Sequence, residues 1–487
     1  MNNRNFQKKF LRKVDRFIFS IYNEIKNLFR GGIMLYPKKN EKKIDMMLFQ
    51  NPTREYRGAP FWSWNNKLSR PILEKEIEAM KKMGFGGYYM HPRVGLATPY
   101  LSEEFMEMVR ACLEKGKQCD MNTYLYDEDK WPSGPAGGLV TDLSAEHLEK
   151  YLVMTPTIEE ETEKRILLAV FDVALNEKGY LRSYTRIEKG DAVPDDHTKW
   201  FAYMEYGEYC DTMRKETIET FIAITHEKYK QYFGKEFGGY IPAIFSDEPQ
   251  MRRKTPLAKA SEKGKAVFPF TNDFDETYLA KYGESILDHL PTLLWETADG
   301  TPAPQRYRYH VHATERFAEA FTDTVGAWCE ENGLLYTGHM MNETSLRSQT
   351  VHIGEAMRNL RGFGLPGFDI LVDLREANTA KQAQSVAHQY GREGVTSELY
   401  GATNWDFDFR GHKLQGDWQA ALGVTHRVPH LYFMSMEGEG KRDYPASIGH
   451  QSPWYTEYSR IEDHFARVNT IMTRGTPDVQ IAVIHPI

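Results

Sequence analysis

The sequence predicts an α/β protein whose main part is a (β/α)8 TIM barrel with a small antiparallel β insertion after strand three. Three observations lead to this fold class. The 487 residues suit a barrel-sized domain with additions. From residue 60 onward, eight short apolar or aromatic runs alternate with longer amphipathic runs. One connection, between the third and fourth runs, is far longer than an ordinary strand-to-helix unit and has a strand-like pattern of its own.

The eight predicted strands are rich in β-branched and aromatic residues, and helical patterns lie between most of them. Such alternation implies parallel strands joined by right-handed crossovers, and a count of eight favours a closed barrel over an open sheet. The strands are predicted over residues 60–64, 86–91, 122–127, 241–247, 334–340, 367–372, 394–401 and 430–438.

The amphipathic runs have recognisable helix boundaries. The run from Ser69 to Met83 begins with a capping residue and a proline, and Gly84 follows its end. The run that opens "SEEF" at Ser102 places acids in its first turn, where they interact favourably with the helix dipole. Helices are therefore predicted over residues 69–83, 102–117, 212–235, 306–332, 376–392 and 455–473.

The long connection after the third strand contains "RILLAVFDVAL", "GYLRSYTRI" and "TKWFAYMEYG", separated by the turn-forming "NEKG" and "EKGD". Strands joined by such turns pair antiparallel. We therefore predict a β insertion over residues 151–208, within a barrel domain that covers residues 50–475. An insertion at this point lies at the carboxyl-terminal face of a barrel, where barrel enzymes keep their active sites.

Both ends of the chain differ from the barrel. Residues 1–45 hold 12 Lys and Arg against 4 Asp and Glu, a net charge of +8 in a chain of −7, which leaves −15 for the rest. We interpret them as a basic N-terminal extension that is mobile or lies on a membrane surface. The chain shows no signal peptide and no 18-residue apolar run, which predicts a cytoplasmic protein without a transmembrane segment. Residues 476–487 are predicted to start a following domain, cut short here.

The composition excludes some classes of protein. Hydrophobic residues make up 41% and charged residues 26%, as in ordinary globular proteins. The net charge argues against a nucleic-acid-binding protein, which needs a basic surface. The 13% of aromatic residues suits a carbohydrate partner, although core packing is the commoner reason. The four cysteines lack metal or disulfide spacing and are predicted to be reduced. The oligomeric state stays open.

Polar residues gather at the predicted carboxyl ends of the strands, which face the open mouth of a barrel. Buried acids are costly there unless they are paired, protonated or metal-bound, so their repetition at six strand ends indicates a site. The two histidines among these residues are equally compatible with core positions. The residues predicted to bind a substrate are His91, Arg93, Tyr126, Asp127, Trp131, Asp247, His339, Tyr400, Trp405, Asp406, Glu437 and Arg442.

Two glutamates are candidates for catalysis, because glycoside hydrolysis needs two carboxyl groups that face each other across the scissile bond. Glu248 follows strand four and Glu398 lies on strand seven, which places them across the barrel mouth from each other. The alternative is that each is an ordinary salt-bridged glutamate, with Arg252 or Arg253 as the partner of the first. Their joint placement, with two tryptophans nearby as sugar platforms, favours catalysis.

The third strand ends in three consecutive acids, Asp127, Glu128 and Asp129. They could hold a hard cation such as calcium, bind sugar hydroxyls, or be surface acids balanced by Lys130. Because side chains alternate along a strand, only Asp127 and Asp129 can share one side. No zinc, nucleotide or serine-hydrolase motif is present, and metal ligands are not identified.

Several motifs, in order from about residue 50 to the end, resemble one known family. "APFWSWNNKL", "MHPRVGLATPYLSEEF", "YDEDKWPSGPAGG", "FSDEPQ", "YTGHM", "SVAHQYGREGVTSELYGATNWD" and "GKRDYPASIGHQSPWY" resemble glycoside hydrolase family 106, the α-L-rhamnosidases and their relatives. The resemblance implies a (β/α)8 catalytic domain followed by β-rich accessory domains, inverting chemistry and dependence on calcium. It places the two catalytic glutamates of the family on Glu248 in "SDEP" and Glu398 in "SELYG".

The function expected from this resemblance is acid/base cleavage of terminal rhamnose from plant polysaccharide or glycoside side chains. Glu248 is assigned as the general acid and Glu398 as the general base, with the exchanged assignment left open. Two alternatives also stay open. One is a retaining β-galactosidase-like glycosidase, whose acid and nucleophile also lie on strands four and seven, and the other is a non-catalytic carbohydrate-binding module.

Overall fold

The structure is a computed structural model that describes residues 34–36 and 43–485. Most of the predicted basic extension over residues 1–45 therefore lies outside the described residues. At the other end, residues 476–485, which were predicted to start a following domain, form neither helix nor strand. No helix within the described ranges is long and apolar enough to cross a membrane.

The strands form one parallel and one antiparallel sheet. In chain order they are β1 (Phe61–Trp64), β2 (Gly87–Pro92), β3 (Asn122–Tyr126), β4 (Leu148–Thr155), β5 (Arg165–Leu175), β6 (Leu181–Ile187), β7 (Thr198–Cys210), β8 (Ala243–Asp247), β9 (Ala266–Phe270), β10 (Leu335–His339), β11 (Leu365–Ile370), β12 (Val395–Leu399), β13 (Val424–Pro429) and β14 (Tyr432–Phe433).

The parallel sheet forms a nearly closed ring, which confirms the predicted barrel. Its order is β13-β12-β11-β10-β8-β3-β2-β1-β14, and every neighbouring pair is parallel. Since β13 and β14 are separated by only two residues, they occupy one position and join the two ends of the sheet. Eight positions with crossovers on the outside make a (β/α)8 barrel.

The eighth position differs from the single strand predicted over residues 430–438. β13 begins six residues earlier than predicted and pairs with β12, whereas β14 pairs with β1. The polar residues of "VTHRVP" obscured the strand pattern. In the structure His426 lies among the interior rings, with its Nε2 3.0 Å from the hydroxyl oxygen of Tyr89, and Arg427 pairs with Glu462 outside the ring.

The helices follow the predicted order around the barrel. They are α1 (Met46–Gln50), α2 (Arg70–Lys82), α3 (Glu103–Gln118), α4 (Lys215–Ile224), α5 (His226–Phe233), α6 (Phe274–Tyr282), α7 (Pro304–Phe317), α8 (Thr324–Glu331), α9 (Leu346–His352), α10 (Ala356–Leu360), α11 (Ala377–Gln389), α12 (Phe409–Ala421) and α13 (Ser459–Met472). A π-helical segment, Ala318–Asp323, joins α7 to α8. Ser102 caps α3 as predicted, because its Oγ accepts a hydrogen bond from the Phe105 backbone N–H.

The antiparallel sheet has the order β6-β5-β7-β4-β9. Its first four strands span residues 148–210, so the sheet extends slightly beyond the predicted insertion over residues 151–208. The fifth strand, β9, comes from the connection between β8 and β10, which the sequence did not assign to this sheet. Two separate barrel connections therefore build one sheet.

Aromatic side chains fill the barrel beneath its carboxyl-terminal face. Phe61 and Phe245 meet edge to face with ring centroids 4.9 Å apart, and Tyr89 stacks on Tyr124 at 4.6 Å. All four rings are buried. Large rings contribute strongly to burial, so this layer forms a rigid floor on which polar strand ends can be held. The four cysteines are unpaired, as predicted.

Candidate active site

In most strands of the parallel sheet, the last residue that faces into the barrel is polar or ionisable. Alternate side chains of a strand point into the barrel, so each of these residues lies two positions after an inward residue of the floor. The inward pairs are Tyr89 and His91, Tyr124 and Tyr126, Phe245 and Asp247, Thr337 and His339, Gly367 and Asp369, Thr396 and Glu398, and Val428 and His430.

These strand ends surround a pocket of about 70 Å³. Three strands contribute acids to it, and two loops contribute the aromatic rings of Trp131 and Tyr444. The lining residues are Arg93, Trp131, Asp247, Glu248, Asp369, Leu371, Glu398, His430 and Tyr444. Both predicted catalytic glutamates therefore line the same pocket.

His339 lies at the centre of the acids. Its Nε2 is 3.0 Å from Asp247 Oδ1 and 3.5 Å from Glu398 Oε2. Burial disfavours a charged imidazole, but the contact with Asp247 and the charge of Glu398 outweigh it and raise the pKa of His339 well above its usual range. His339 is therefore a cation that holds neighbouring carboxylates together.

Asp247 is held by a residue of β3 in addition to His339. The hydroxyl of Tyr126 donates a hydrogen bond of 2.6 Å to Asp247 Oδ2, and the ring of Tyr126 stacks on His91 at 3.9 Å. Tyr126 and His91 thus support the pocket without appearing among its lining residues. His91 and His430 are buried, and burial lowers the pKa of both, so both imidazoles are neutral near pH 7.

The two glutamates have unusual protonation properties. Burial, followed by the charges of Asp247 and Asp369, raises the pKa of Glu248 to about 8. Burial, followed by the same two charges, also raises the pKa of Glu398 well above its ordinary value. Burial raises the pKa of Asp369 to about 6. Carboxyl groups that share a buried site cannot all ionise at neutral pH, so some of these carboxyl groups keep their protons.

One wall of the pocket is an ion pair between two loops. Arg93 follows β2 and makes a bidentate contact with Asp443, with nitrogen–oxygen distances of 2.5 and 2.7 Å. Its guanidinium lies over the ring of Trp131, 4.5 Å from the centroid. The predicted residues Arg93 and Trp131 therefore belong to the pocket, but one face of the indole is covered by a cation.

Two residues of the predicted acidic triplet have structural partners instead. Asp127 is fully buried and accepts hydrogen bonds from the hydroxyls of Ser133 and Ser246. The carboxylate of Glu128 accepts hydrogen bonds from backbone N–H groups of the loop that follows β3, among them those of Gly134 and Ala136. The interpretation of Asp127 as a sugar or cation ligand is not favoured, because both of its oxygens already accept hydrogen bonds.

Five other predicted binding residues lie outside the pocket. The ring of Tyr400 stacks on His412 at 4.2 Å, and its hydroxyl donates to the His412 carbonyl, so it packs against α12. The others are solvent-exposed side chains on loops beyond the strand ends, namely Trp405, Asp406, Glu437 and Arg442.

Sequence reasoning missed four pocket residues, Asp369, Leu371, His430 and Tyr444. Asp369 is the only acid in the predicted sixth strand, and its position two residues after Gly367 puts it on the inward side. That alternation was a usable signal. His430 was missed because the eighth strand was placed too late in the sequence. Nothing in the local pattern separates Tyr444 from other loop tyrosines.

The carboxylates could in principle hold a metal ion. Two sets of three have ligand atoms within 4.8 Å of one another: Asp247, His339 and Glu398, and Glu248, His339 and Asp369. Both sets include the same imidazole, whereas calcium takes six to eight oxygen ligands. This donor set does not fit calcium well, so calcium dependence stays a prediction from the resemblance.

Comparison with solved structures shows the same fold in a rhamnosidase from Novosphingobium sp. PP1Y. The TM-score is 0.62 at 14% sequence identity, over 88% of this chain and 60% of that chain. This chain therefore spans about 60% of the length of that protein, and at this identity the likeness concerns the fold alone.

Two mannanase structures are more distant. An endo-β-1,4-mannanase from Thermotoga petrophila has a TM-score of 0.41 at 10% identity, over 85% of this chain and 78% of that chain. A hyperthermostable endo-1,4-β-D-mannanase from Thermotoga petrophila RKU-1 has a TM-score of 0.40 at 10% identity, over 83% of this chain and all of that chain. No protein-family profile matches the chain, and no curated protein matches it.

Proposed function

We propose that this chain is the catalytic barrel of a glycoside hydrolase, and more specifically of an inverting α-L-rhamnosidase. One observation carries the hydrolase proposal: Glu248 and Glu398, on β8 and β12, line one small pocket around His339. Glycosidases need such a carboxyl pair. The rhamnoside specificity is supported by the sequence motifs that resemble glycoside hydrolase family 106 and by the fold shared with a rhamnosidase.

In the proposed reaction Glu248 is the general acid. Its pKa of about 8 leaves its carboxyl protonated at neutral pH, which an acid that protonates the glycosidic oxygen requires. Glu398 acts as the base that removes a proton from the attacking water. Burial and the charges of Asp369 and Asp247 raise the pKa of Glu398. The cationic His339, 3.5 Å from Oε2 of Glu398, opposes them and favours the ionised form that this role needs. Attack from the face opposite the leaving group inverts the anomeric carbon.

The size of the pocket supports cleavage at a chain end. A space of about 70 Å³, with the Arg93–Asp443 pair along one side, is far too small for an extended polysaccharide, so only the end of a chain could enter it. The neighbouring acids and neutral histidines offer acceptors and donors to the hydroxyl groups of the terminal sugar.

The first prediction tests the pair directly. Glu248→Gln and Glu398→Gln keep the size of the side chain but remove its acid–base function, so each should lower kcat on an aryl α-L-rhamnoside by on the order of 10²–10⁴-fold. The matched control is Glu457→Gln, an exposed glutamate in a surface pair, which should leave kcat unchanged. Near-normal rates in both pocket variants, with intact folding by circular dichroism, would refute the assignment.

The stereochemistry separates the two enzyme mechanisms. Proton NMR of the first-formed sugar should show the anomer opposite to that of the substrate. Retention would favour the β-galactosidase-like alternative, with a covalent intermediate on one glutamate. Calorimetry that detects rhamnoside binding to the wild-type protein without any turnover would instead favour a carbohydrate-binding module.

A further inference from the structure

The rim of the pocket differs chemically from its floor. The floor consists of buried ionisable groups, among them Asp247, Glu398 and His430. The rim carries two aromatic rings, Trp131 from the loop after β3 and Tyr444 from the loop after β14. Tyr444 is 47% exposed, so it is the pocket residue whose apolar surface is most available to a ligand.

Tyr444 is held in place through its neighbour in the chain. Asp443 is anchored to the buried Arg93 by two charge-assisted contacts, and the same guanidinium lies over Trp131. The Tyr444 ring meets Trp131 edge to face, with centroids 5.7 Å apart, and lies 6.3 Å from the ring of His430. One buried arginine thus positions both rings of the rim.

The backbone of Tyr444 has a conformation that residues other than glycine rarely adopt. Its φ of +53° lies in the left-handed region, which costs a residue other than glycine on the order of 1 kcal/mol or more. Such a conformation persists where surrounding contacts hold it, and the Arg93–Asp443 pair supplies them. The result is an exposed ring aimed at the pocket rather than packed into the core.

We propose that Tyr444, supported by Trp131, forms the binding subsite for the leaving group. The ligand class is a flat ring with an apolar face, either an aryl group or the next sugar ring, stacked on the phenol. This proposal rests on the proposed function. This position suits a leaving group, because the carboxyl groups that would flank the scissile bond lie at the buried floor and the rest of a substrate would extend toward the exposed rim.

The test compares leaving groups on one sugar: 4-nitrophenyl α-L-rhamnoside, a rhamnosyl disaccharide, and α-L-rhamnosyl fluoride, whose leaving group has no ring. Tyr444→Ala should lower kcat/KM about tenfold for substrates with a stacking ring and leave the fluoride unchanged. Tyr444→Phe, which keeps the ring, should retain most of the activity. The exposed Tyr307→Ala, on α7, is the matched control and should change nothing.

Each pattern of activity loss in Tyr444→Ala supports or contradicts the proposed subsite. Loss on the aryl substrate alone identifies an aryl leaving group, loss on the disaccharide alone identifies a sugar, and loss on both supports a shared platform. Equal loss on all three substrates, or none on any, overturns the subsite. A wild-type protein that cleaves none of them overturns the proposed function instead.

A binding measurement makes the subsite testable without turnover. In a Glu248→Gln background, calorimetry should show phenyl α-L-rhamnoside binding more tightly than methyl α-L-rhamnoside. Adding Tyr444→Ala should remove that difference. If the preference for the phenyl compound survives, Tyr444 is not the platform.

Discussion

Glu248 is only partly buried, yet its carboxyl group stays protonated at neutral pH. It follows β8 at a φ of +49°, partly buried at the pocket, and it stands between the charges of Asp247 and Asp369. Each charge makes loss of its proton harder, as burial does. Burial is the main cause of the raised pKa and the two charges add to it, so removing one of these charges should lower the pH at which the acid loses its proton.

The second prediction concerns the pH profile of the wild-type protein. A general acid works while protonated, so kcat/KM on an aryl rhamnoside should fall as pH rises through about 8, where Glu248 loses its proton. Rhamnosyl fluoride needs no protonation of its leaving group, so its profile should lack this limb. If the limb appears equally with both substrates, Glu248 is not the acid, and the exchanged assignment with Glu398 as acid is favoured.

The third prediction tests Asp369, the acid that the sequence interpretation missed. Its own pKa of about 6 means that it is ionised at pH 8, where its charge holds the pKa of Glu248 up. Asp369→Asn should therefore move the alkaline limb to lower pH. Asp373→Asn, an exposed acid of the loop after the same strand, should leave it in place. An unmoved limb in Asp369→Asn would show that this charge does not act on Glu248.

At the scale of elements, alternation along each strand explains which parts of the site were predictable. Asp247, Glu248, His339 and Glu398 follow apolar strands that the sequence marks clearly, and all four meet at the pocket. Asp369 obeys the same alternation, so a stricter application would have found it. Tyr444 could not be found this way, because its position depends on an ion pair between loops 350 residues apart in the chain.

The limits of the sequence pattern are also visible in β13. A strand that carries His426 and Arg427 looks polar, yet both side chains have partners in the folded protein. His426 contacts Tyr89 inside the barrel, and Arg427 pairs with Glu462 of α13. The π-helical segment between α7 and α8 and the contribution of β9 to the second sheet were likewise missed. Each depends on packing between distant segments, which periodicity alone does not reveal.

The fourth prediction addresses the contact between β13 and α13. Arg427 and Glu462 form an ion pair at 2.7 Å in which both side chains are almost fully buried. Glu462→Ala leaves the guanidinium without its counter-charge, which should lower the free energy of unfolding by about 3–5 kcal/mol in urea titration. The exposed pair of Glu457 and Arg460 provides the control, because Glu457→Ala should change stability by less than about 1 kcal/mol. Equal effects of the two variants would contradict the argument.

At the scale of the whole molecule, the barrel and the second sheet share one hydrophobic core. A single continuous cluster of buried side chains includes Phe171 of β5, Trp200 of β7, and Phe105 and Val109 of α3 on the outside of the barrel. Trp200 also meets Trp295, from the connection after β8, edge to face at 5.0 Å. Because apolar burial is the main source of stability, parts joined by one core unfold together.

The last prediction follows from this shared core. Phe171 is fully buried, so Phe171→Ala should cost about 3–5 kcal/mol. If the second sheet were an independent unit, only its own unfolding would shift. Since its core is continuous with that of the barrel, calorimetry should instead show one transition that moves as a whole to lower temperature, with loss of barrel and sheet signals together. Ile166→Ala, a partly exposed position on the same strand, should shift that transition much less. Two resolved transitions, of which only one moves in Phe171→Ala, would show that the sheet folds on its own and that the pocket does not depend on it.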